Sequence, residues 1–233
     1  MRAILCLFLL LPFSDVPQGA QKTCGYRQVR AIWQDQANPV QGVRSTFDVV
    51  NLGGGVQKSV WVSLLMGNNV WYQIGYFNIG TGKNPQFVSM CFEDWKLGCP
   101  GVTLESLNPP PALEIGTVAT FYLVNVGGTL WETGINDIPI SRIDFGALTG
   151  WQVQLATEEG YDCKVSRFPT VHFYPAIELY RNGSWDAAPT AYANGAEWGI
   201  AGKDQNSALR DNELLMGSSI PAIDPLTAPN LWP

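Results

Sequence analysis

The stretch VWYQIGYF, Val70 to Phe77, poses the chemical question in this chain. A single amide, Gln73, stands among aromatic residues, with Gly75 two positions on. Read as a strand, the stretch alternates, because successive side chains point to opposite faces. Val70, Tyr72, Ile74 and Tyr76 share one face; Trp71, Gln73, Gly75 and Phe77 share the other. An amide can donate to a developing oxyanion, but it exchanges no proton in the acid-to-neutral range. Hydrolysis therefore also needs a positioned carboxyl group. The stretch GWQVQLATEE (150–159) alternates in the same way. There Trp151, Val153 and Leu155 form an apolar face, and Gln152, Gln154, Ala156 and Glu158 form a polar one. Glu158 and Glu159 lie roughly 13–17 Å along a strand from Gln154, at about 3.3 Å per residue. Glu93, beside Cys91, is a further acid that could rise into a groove. Trp61 and Trp71 supply ring surface for binding there.

Other chemistries are poorly provided for. The chain has one histidine, His172, so any Ser-His-Asp or Cys-His arrangement would have to use it. No Gly-x-Ser-x-Gly turn accompanies it. His172 stands in a strand run next to Phe173 and reads as a strand histidine with one hydrogen-bond partner. With no C-x-x-C spacing and no second histidine, the usual zinc ligand sets are missing. No phosphate-cradling or dinucleotide glycine pattern occurs. No metal or cofactor is expected, which leaves chemistry by carboxylates and amides, or binding alone.

The elements that must position these residues are short strands. The segments 27–33, 45–52, 59–65, 70–77, 86–92, 117–126, 129–133, 141–145, 150–157 and 171–180 all have strand composition. Gly127-Gly128 between two such runs is a hairpin signal, because primed turns need positive φ. MGNN (66–69) has hairpin-turn composition as well. Pro175 inside the last run implies an edge position or a bulge, since proline provides no ladder donor. Residues 206–217, opened by Asn206 or Ser207 and closed by Gly217, are the one helix candidate. The Pro-rich tail beyond them is expected to be extended. Ten or so strands with turn punctuation indicate an all-β antiparallel sandwich with little helix.

The 233 residues, 46% hydrophobic, suit one globular domain. The apolar run Ala3–Phe13 behind Arg2 is too short to span a bilayer and has the form of a secretory signal within residues 1–20. A sandwich domain over 21–200 and a helix and tail over 201–233 then follow. No second long apolar run follows the signal, so a secreted protein with no membrane attachment is expected. Cys6 leaves with the signal; Cys24, Cys91, Cys99 and Cys163 remain for pairing in an oxidising compartment. Of three possible pairings, Cys91–Cys99 with Cys24–Cys163 is favoured. Asn182-Gly183-Ser184 is a glycosylation sequon. A net charge of −6 and a pI of about 4.7 give no clustered basic surface for nucleic acid.

Three segments together resemble the glutamic peptidases, the eqolisins. SVWVSLL…WYQIGYF is similar to that family's strand pair, in which a Trp-Val strand leads into one bearing the catalytic Gln; that position here is Gln73. LTGWQVQLATEE resembles the strand carrying the catalytic Glu three residues after an aromatic. FPTVHFYPAIELY resembles the downstream strand with its Pro-Ala-aliphatic-Glu run, here Pro175 to Glu178. The likeness covers about residues 40 to 180. It implies a concanavalin-like sandwich of two curved sheets whose concave groove takes a polypeptide or glycan. It also implies an acid–amide pair, and here the sequence departs: Gln154 stands where the Glu is expected, and the position expected for a supporting Glu falls near Met90. Three readings follow. One is a noncatalytic groove-binding protein. The second is an acid endopeptidase using Gln73 with a nearby Glu. The third is a carbohydrate-binding, lectin-like module.

Overall fold

The computed structural model describes residues 27–53, 58–66, 70–78, 85–93, 96–97, 103–147, 149–159, 168–188, 197–202, 206–210 and 213–217. All regular elements among them are strands. The expected signal segment, Cys24, Cys99, Cys163, the MGNN turn residues 67–69 and the tail beyond Gly217 lie outside the described residues.

The first sheet has seven strands. Its centre is β3 (Lys58–Met66), flanked by β4 (Val70–Asn78) and β11 (Gly150–Glu159). Outside these lie β5 (Gln86–Glu93) with β6 (Lys96–Leu97) on one side, and β1 (Arg27–Gln34) with β15 (Glu197–Gly202) on the other. The second sheet is centred on β2 (Gly42–Asp48) and β8 (Val118–Gly127). It continues through β9 (Leu130–Ile135) and β10 (Ile138–Asp144) to β7 (Thr103–Ser106). On its other side stand β12 (Val171–Phe173), β17 (Glu213–Gly217) and β16 (Asn206–Arg210). The hairpin β13 (Glu178–Arg181) and β14 (Ser184–Ala187) also pairs with β2. Every pairing is antiparallel.

Alternation decides what each strand buries. Tyr72, Ile74 and Tyr76 of β4, Val60, Val62 and Leu64 of β3, and Val153 and Leu155 of β11 enter the core shared with the second sheet. Phe47, Phe121 and Phe173 meet them there; Phe47 stacks on Phe121 at 4.5 Å and lies 4.9 Å from Phe173. Each such side chain, fully buried, contributes about 1.5–3 kcal/mol. Tyr76 donates to the carbonyl of Asp48 at 2.8 Å and accepts from the amide of Val50 at 3.0 Å. The phenol thus satisfies the end of β2 while its ring fills the core, and burial pushes its ionisation well up.

The hairpin expected at Gly127-Gly128 is present but one residue on: Gly127 (φ 139°) ends β8 opposite Leu130, and Gly128 (φ 58°) with Thr129 makes the turn. Two further two-residue turns lack a Gly-Gly signature. Asn136-Asp137 (φ 49° and 64°) joins β9 to β10, and Asn182-Gly183 (φ 50° and 86°) joins β13 to β14. Asn-Gly is a strong hairpin signal, and it falls inside the sequon.

Two expectations are corrected. Residues 206–210 and 213–217 form no helix; they are the paired strands β16 and β17, the second of which pairs Met216 with Val171 and Leu214 with Phe173. Helix propensity is a weak preference, and the open edge of β12 offers a ladder that overrides it. The sandwich therefore continues past residue 200. The run 171–180 is likewise not one strand. It leaves the ladder between Phe173 and Glu178, with a cis Tyr174–Pro175 bond, and both halves pair with β2. That is where a proline without a donor can be accommodated.

Candidate functional site

The outward face of the seven-stranded sheet assembles the expected residues. Register aligns Gln154 on β11 with Ser63 on β3, Ser63 with Gln73 on β4, and Gln73 with Met90 on β5. The two amides thus lie in one cross-strand row with a serine between them, so at about 4.8 Å per strand their backbones are roughly 10 Å apart. The row on one side holds Gln34, Gln152, Leu65 and Trp71; the row on the other holds Ala156, Trp61 and Gly75.

This floor is nearly closed to solvent. Exposure is 0% at Trp61, 1% at Ser63, 2% at Gln154, 6% at Gln73 and 8% at Trp71. Trp61, Trp71 and Ala156 form a small apolar cluster apart from the main core, the two indoles 6.0 Å apart. Polar groups buried at this depth need partners. The amides supply part of that need among themselves: Gln154 Nε2 donates to Gln152 Oε1 at 2.9 Å, and Gln152 Nε2 donates to Gln34 Oε1 at 2.9 Å. Gln73 Nε2 has a weak contact to Met90 Sδ at 4.0 Å. Ser63 Oγ and Trp61 Nε1 have no hydrogen-bond partner among the described residues. Such orphaned buried groups cost about 1–3 kcal/mol each, a cost that an incoming acceptor would offset.

Gly75 is explained by packing. A Cβ there would come within 2.0 Å of the Val60 carbonyl oxygen and 2.7 Å of Trp61 Cα. The glycine lets β3 approach β4 and gives the space beside Gln73 to Trp61.

The acids do not join the row. Glu158 shares the face but lies four residues from Gln154, in register with Ser59, whose hydroxyl donates to Glu158 Oε2 at 3.3 Å. Glu93, at the end of β5, pairs with Val70 rather than with a residue of this row. Glu178 is held by Arg44 across the second sheet, at 2.7 and 2.9 Å. His172 lies on β12, its backbone amide 3.3 Å from Asp48 Oδ2 and its ring 4.2 Å from that of Tyr174. The row Gln154–Ser63–Gln73–Met90 thus contains no carboxylate. It can donate and accept hydrogen bonds, but it holds no group suited to general acid–base work.

Ser63 and Gln34 were not singled out from sequence. Ser63 was discoverable: if Gln73 and Gln154 share a row on alternate strands, the residue opposite both on β3 must lie between them. Gln34 becomes visible only once β1 is paired with β11.

Scans against protein-family models and curated proteins found no match. Solved structures do match. SCP-B, a member of the eqolisin family of peptidases, in a complex with a tripeptide Ala-Ile-His, is 13% identical, with a TM-score of 0.49 over 82% of this chain and 96% of that one. Scytalido-glutamic peptidase with a peptide-based transition-state analogue is 12% identical, with a TM-score of 0.51 over 82% and 97%. The kappa-carrageenase from Pseudoalteromonas carrageenovora, with a carrageenan oligotetrasaccharide, has a TM-score of 0.34 at 9% identity over 83% and 80%. At 12% identity, the TM-score of 0.51 shows a shared fold, and the chain is an antiparallel concanavalin-like sandwich of the kind seen in scytalido-glutamic peptidase.

Proposed function

We propose that this chain is a secreted, noncatalytic protein of glutamic-peptidase fold that binds an extended polypeptide across β11, β3 and β4. The observation that carries this is the row itself: Gln154 stands in register with Gln73 through Ser63, and no carboxylate shares it. The catalytic pair implied by the resemblance has kept its amide and lost its acid. Amide and hydroxyl groups still suit a peptide backbone, which presents carbonyls and amides in alternation. Trp61 and Trp71 add apolar surface that fixes a bound chain against the floor. The choice of peptide over glycan is supported by the neighbour of TM-score 0.51, which was solved with a peptide-based analogue. Secretion, with Cys91–Cys99 and Cys24–Cys163 bridges, completes the reading.

Casein digestion at acid and neutral pH tests this proposal. The wild-type chain should cleave at neither pH, while retaining casein-derived peptides in a pull-down that Gln73→Ala weakens. Acid-dependent cleavage abolished by Gln73→Ala would instead identify an active endopeptidase that draws its acid from elsewhere. Binding to a glycan array with no retention of peptides would favour the lectin-like reading.

A further inference from the structure

The outward face of the second sheet carries a separate concavity of about 340 Å3, lined among others by Arg44, Tyr122, Glu132, Asp137, Tyr180 and Trp185. Small-molecule sites typically occupy about 300–1,000 Å3. The outward face of an antiparallel sheet is ordinarily solvated and polar, so three large aromatic rings there call for a reason. Register explains how they are arranged. Tyr180 stands directly across from Gly42, and Tyr122 directly across from Gly134. A Cβ on Gly42 would meet Tyr180 Cβ at 2.9 Å, and one on Gly134 would meet the Tyr122 hydroxyl oxygen at 2.3 Å. Each tyrosine therefore leans over a residue with no side chain. Trp185, paired with Tyr180 across the β13–β14 hairpin, lies 5.0 Å from it, ring to ring.

Arg44 and Glu132, two of the charges around these rings, are already partnered. Arg44 forms a two-pronged bond to Glu178 at 2.7 and 2.9 Å, and its guanidinium lies 4.7 Å from the Trp185 ring centre. Glu132 accepts from Arg142 at 3.3 Å and from the Tyr122 hydroxyl at 3.3 Å. Among the described residues, no cluster of unpaired cations is available here to hold a phosphate, sulfate or carboxylate. What the pocket offers is ring surface beside the carboxylate oxygens of Glu132, held by Arg142 and Tyr122, and of Asp137.

We propose that this pocket binds an uncharged saccharide. A sugar ring has an apolar C–H face that stacks on aromatic rings and a rim of hydroxyl donors that carboxylate oxygens accept. The paired guanidinium holds Trp185 and Glu178 in place, so the site is arranged before the ligand arrives, which lowers the ordering cost of binding.

The test is calorimetric titration of the full chain with neutral gluco-, galacto-, manno- and xylo-disaccharides, alongside sulfated and uronic counterparts. At least one neutral disaccharide should bind at millimolar concentration, in preference to its charged counterparts. Trp185→Ala should weaken that binding about tenfold or more, the worth of one aromatic contact. Tyr180→Ala serves as a second variant, with thermal unfolding to verify that each protein is folded. Three outcomes would overturn the proposal: silence across the neutral set, preference for the charged set, or unchanged binding in both folded variants.

Discussion

The two outward faces of this sandwich use the same local device to different ends. On each, an aromatic residue stands directly across from a glycine: Trp61 from Gly75 on the first sheet, Tyr180 from Gly42 and Tyr122 from Gly134 on the second. A ring can then lie over the bare backbone, as when an aromatic neighbour covers a strand glycine. On the first sheet the result is sealed, with Trp61 at 0% exposure and its indole nitrogen unpartnered among the described residues. On the second the result is a concavity whose Arg44 and Glu132 are bonded to Glu178 and Arg142 beside it. On the sealed face, Ser63 Oγ and Trp61 Nε1 thus have hydrogen bonds left to make among the described residues. On the open face, Arg44 and Glu132 are held in advance by their partners, and Glu132 presents acceptor oxygens.

The largest test of this contrast is Gly75→Val. The added atoms run into the β3 backbone, with a Val60 oxygen 2.0 Å from the first carbon. Chemical denaturation should show a loss above about 4 kcal/mol, in the range reserved for gross disruption. Gly42→Ala, whose nearest atoms stand at 2.9 Å, should cost distinctly less; equal losses would break the contrast between the sealed and open faces. Next, Trp61→Ala should cost about 3–5 kcal/mol as a cavity mutation. Trp185→Ala, on a partly exposed hairpin, should cost under about 1 kcal/mol. Urea midpoints of the two variants compare them directly.

The inward face of the first sheet gives a pH signature. Burial pushes the Tyr72 hydroxyl up to about 12, opposed by hydrogen bonds to Ser89 and Ser141. The folded state holds this proton more tightly than the unfolded one, whose tyrosine titrates near 10.0. The associated stability is fully present below pH 10 and is lost as pH rises toward about 12. Tyr72→Phe should flatten that alkaline decline in thermal melts. The smallest effect belongs to Glu178→Gln. The Arg44–Glu178 pair is 29% and 19% exposed, so its loss should cost roughly 1 kcal/mol or less. Measurements at low and high salt should show the cost shrinking as salt rises.

Much of the sealed face was legible in the sequence because period-two alternation is local. The inward set Tyr72, Ile74, Tyr76 and the outward set Trp71, Gln73, Gly75 follow from eight consecutive residues. The apolar and polar faces of 151–158 follow in the same way. The pairing of residues 206–217 was not legible, since it depends on an edge offered by β12, some forty residues earlier. The reason for Gly75 was not legible either, since the neighbour that needs the space, Trp61, is on another strand. The second pocket was the least accessible to sequence reasoning. Its residues come from β2, β8, β9, the β9–β10 turn and the β13–β14 hairpin, spread from Arg44 to Trp185. No local pattern unites them, and Asn182-Gly183 stood out as a sequon before it stood out as a turn.

The central claim is that the Gln154–Ser63–Gln73 row is a hydrolytic site without its acid. Gln154→Glu places a carboxyl group at that position, and the decisive measurement is the rate of acid-pH peptide cleavage by this variant beside the wild type. The account predicts no cleavage by the wild type and acid-dependent cleavage by Gln154→Glu that disappears again when Gln73→Ala is added. A wild-type chain that cleaves at acid pH, at a rate indifferent to the residue at position 154, would contradict it.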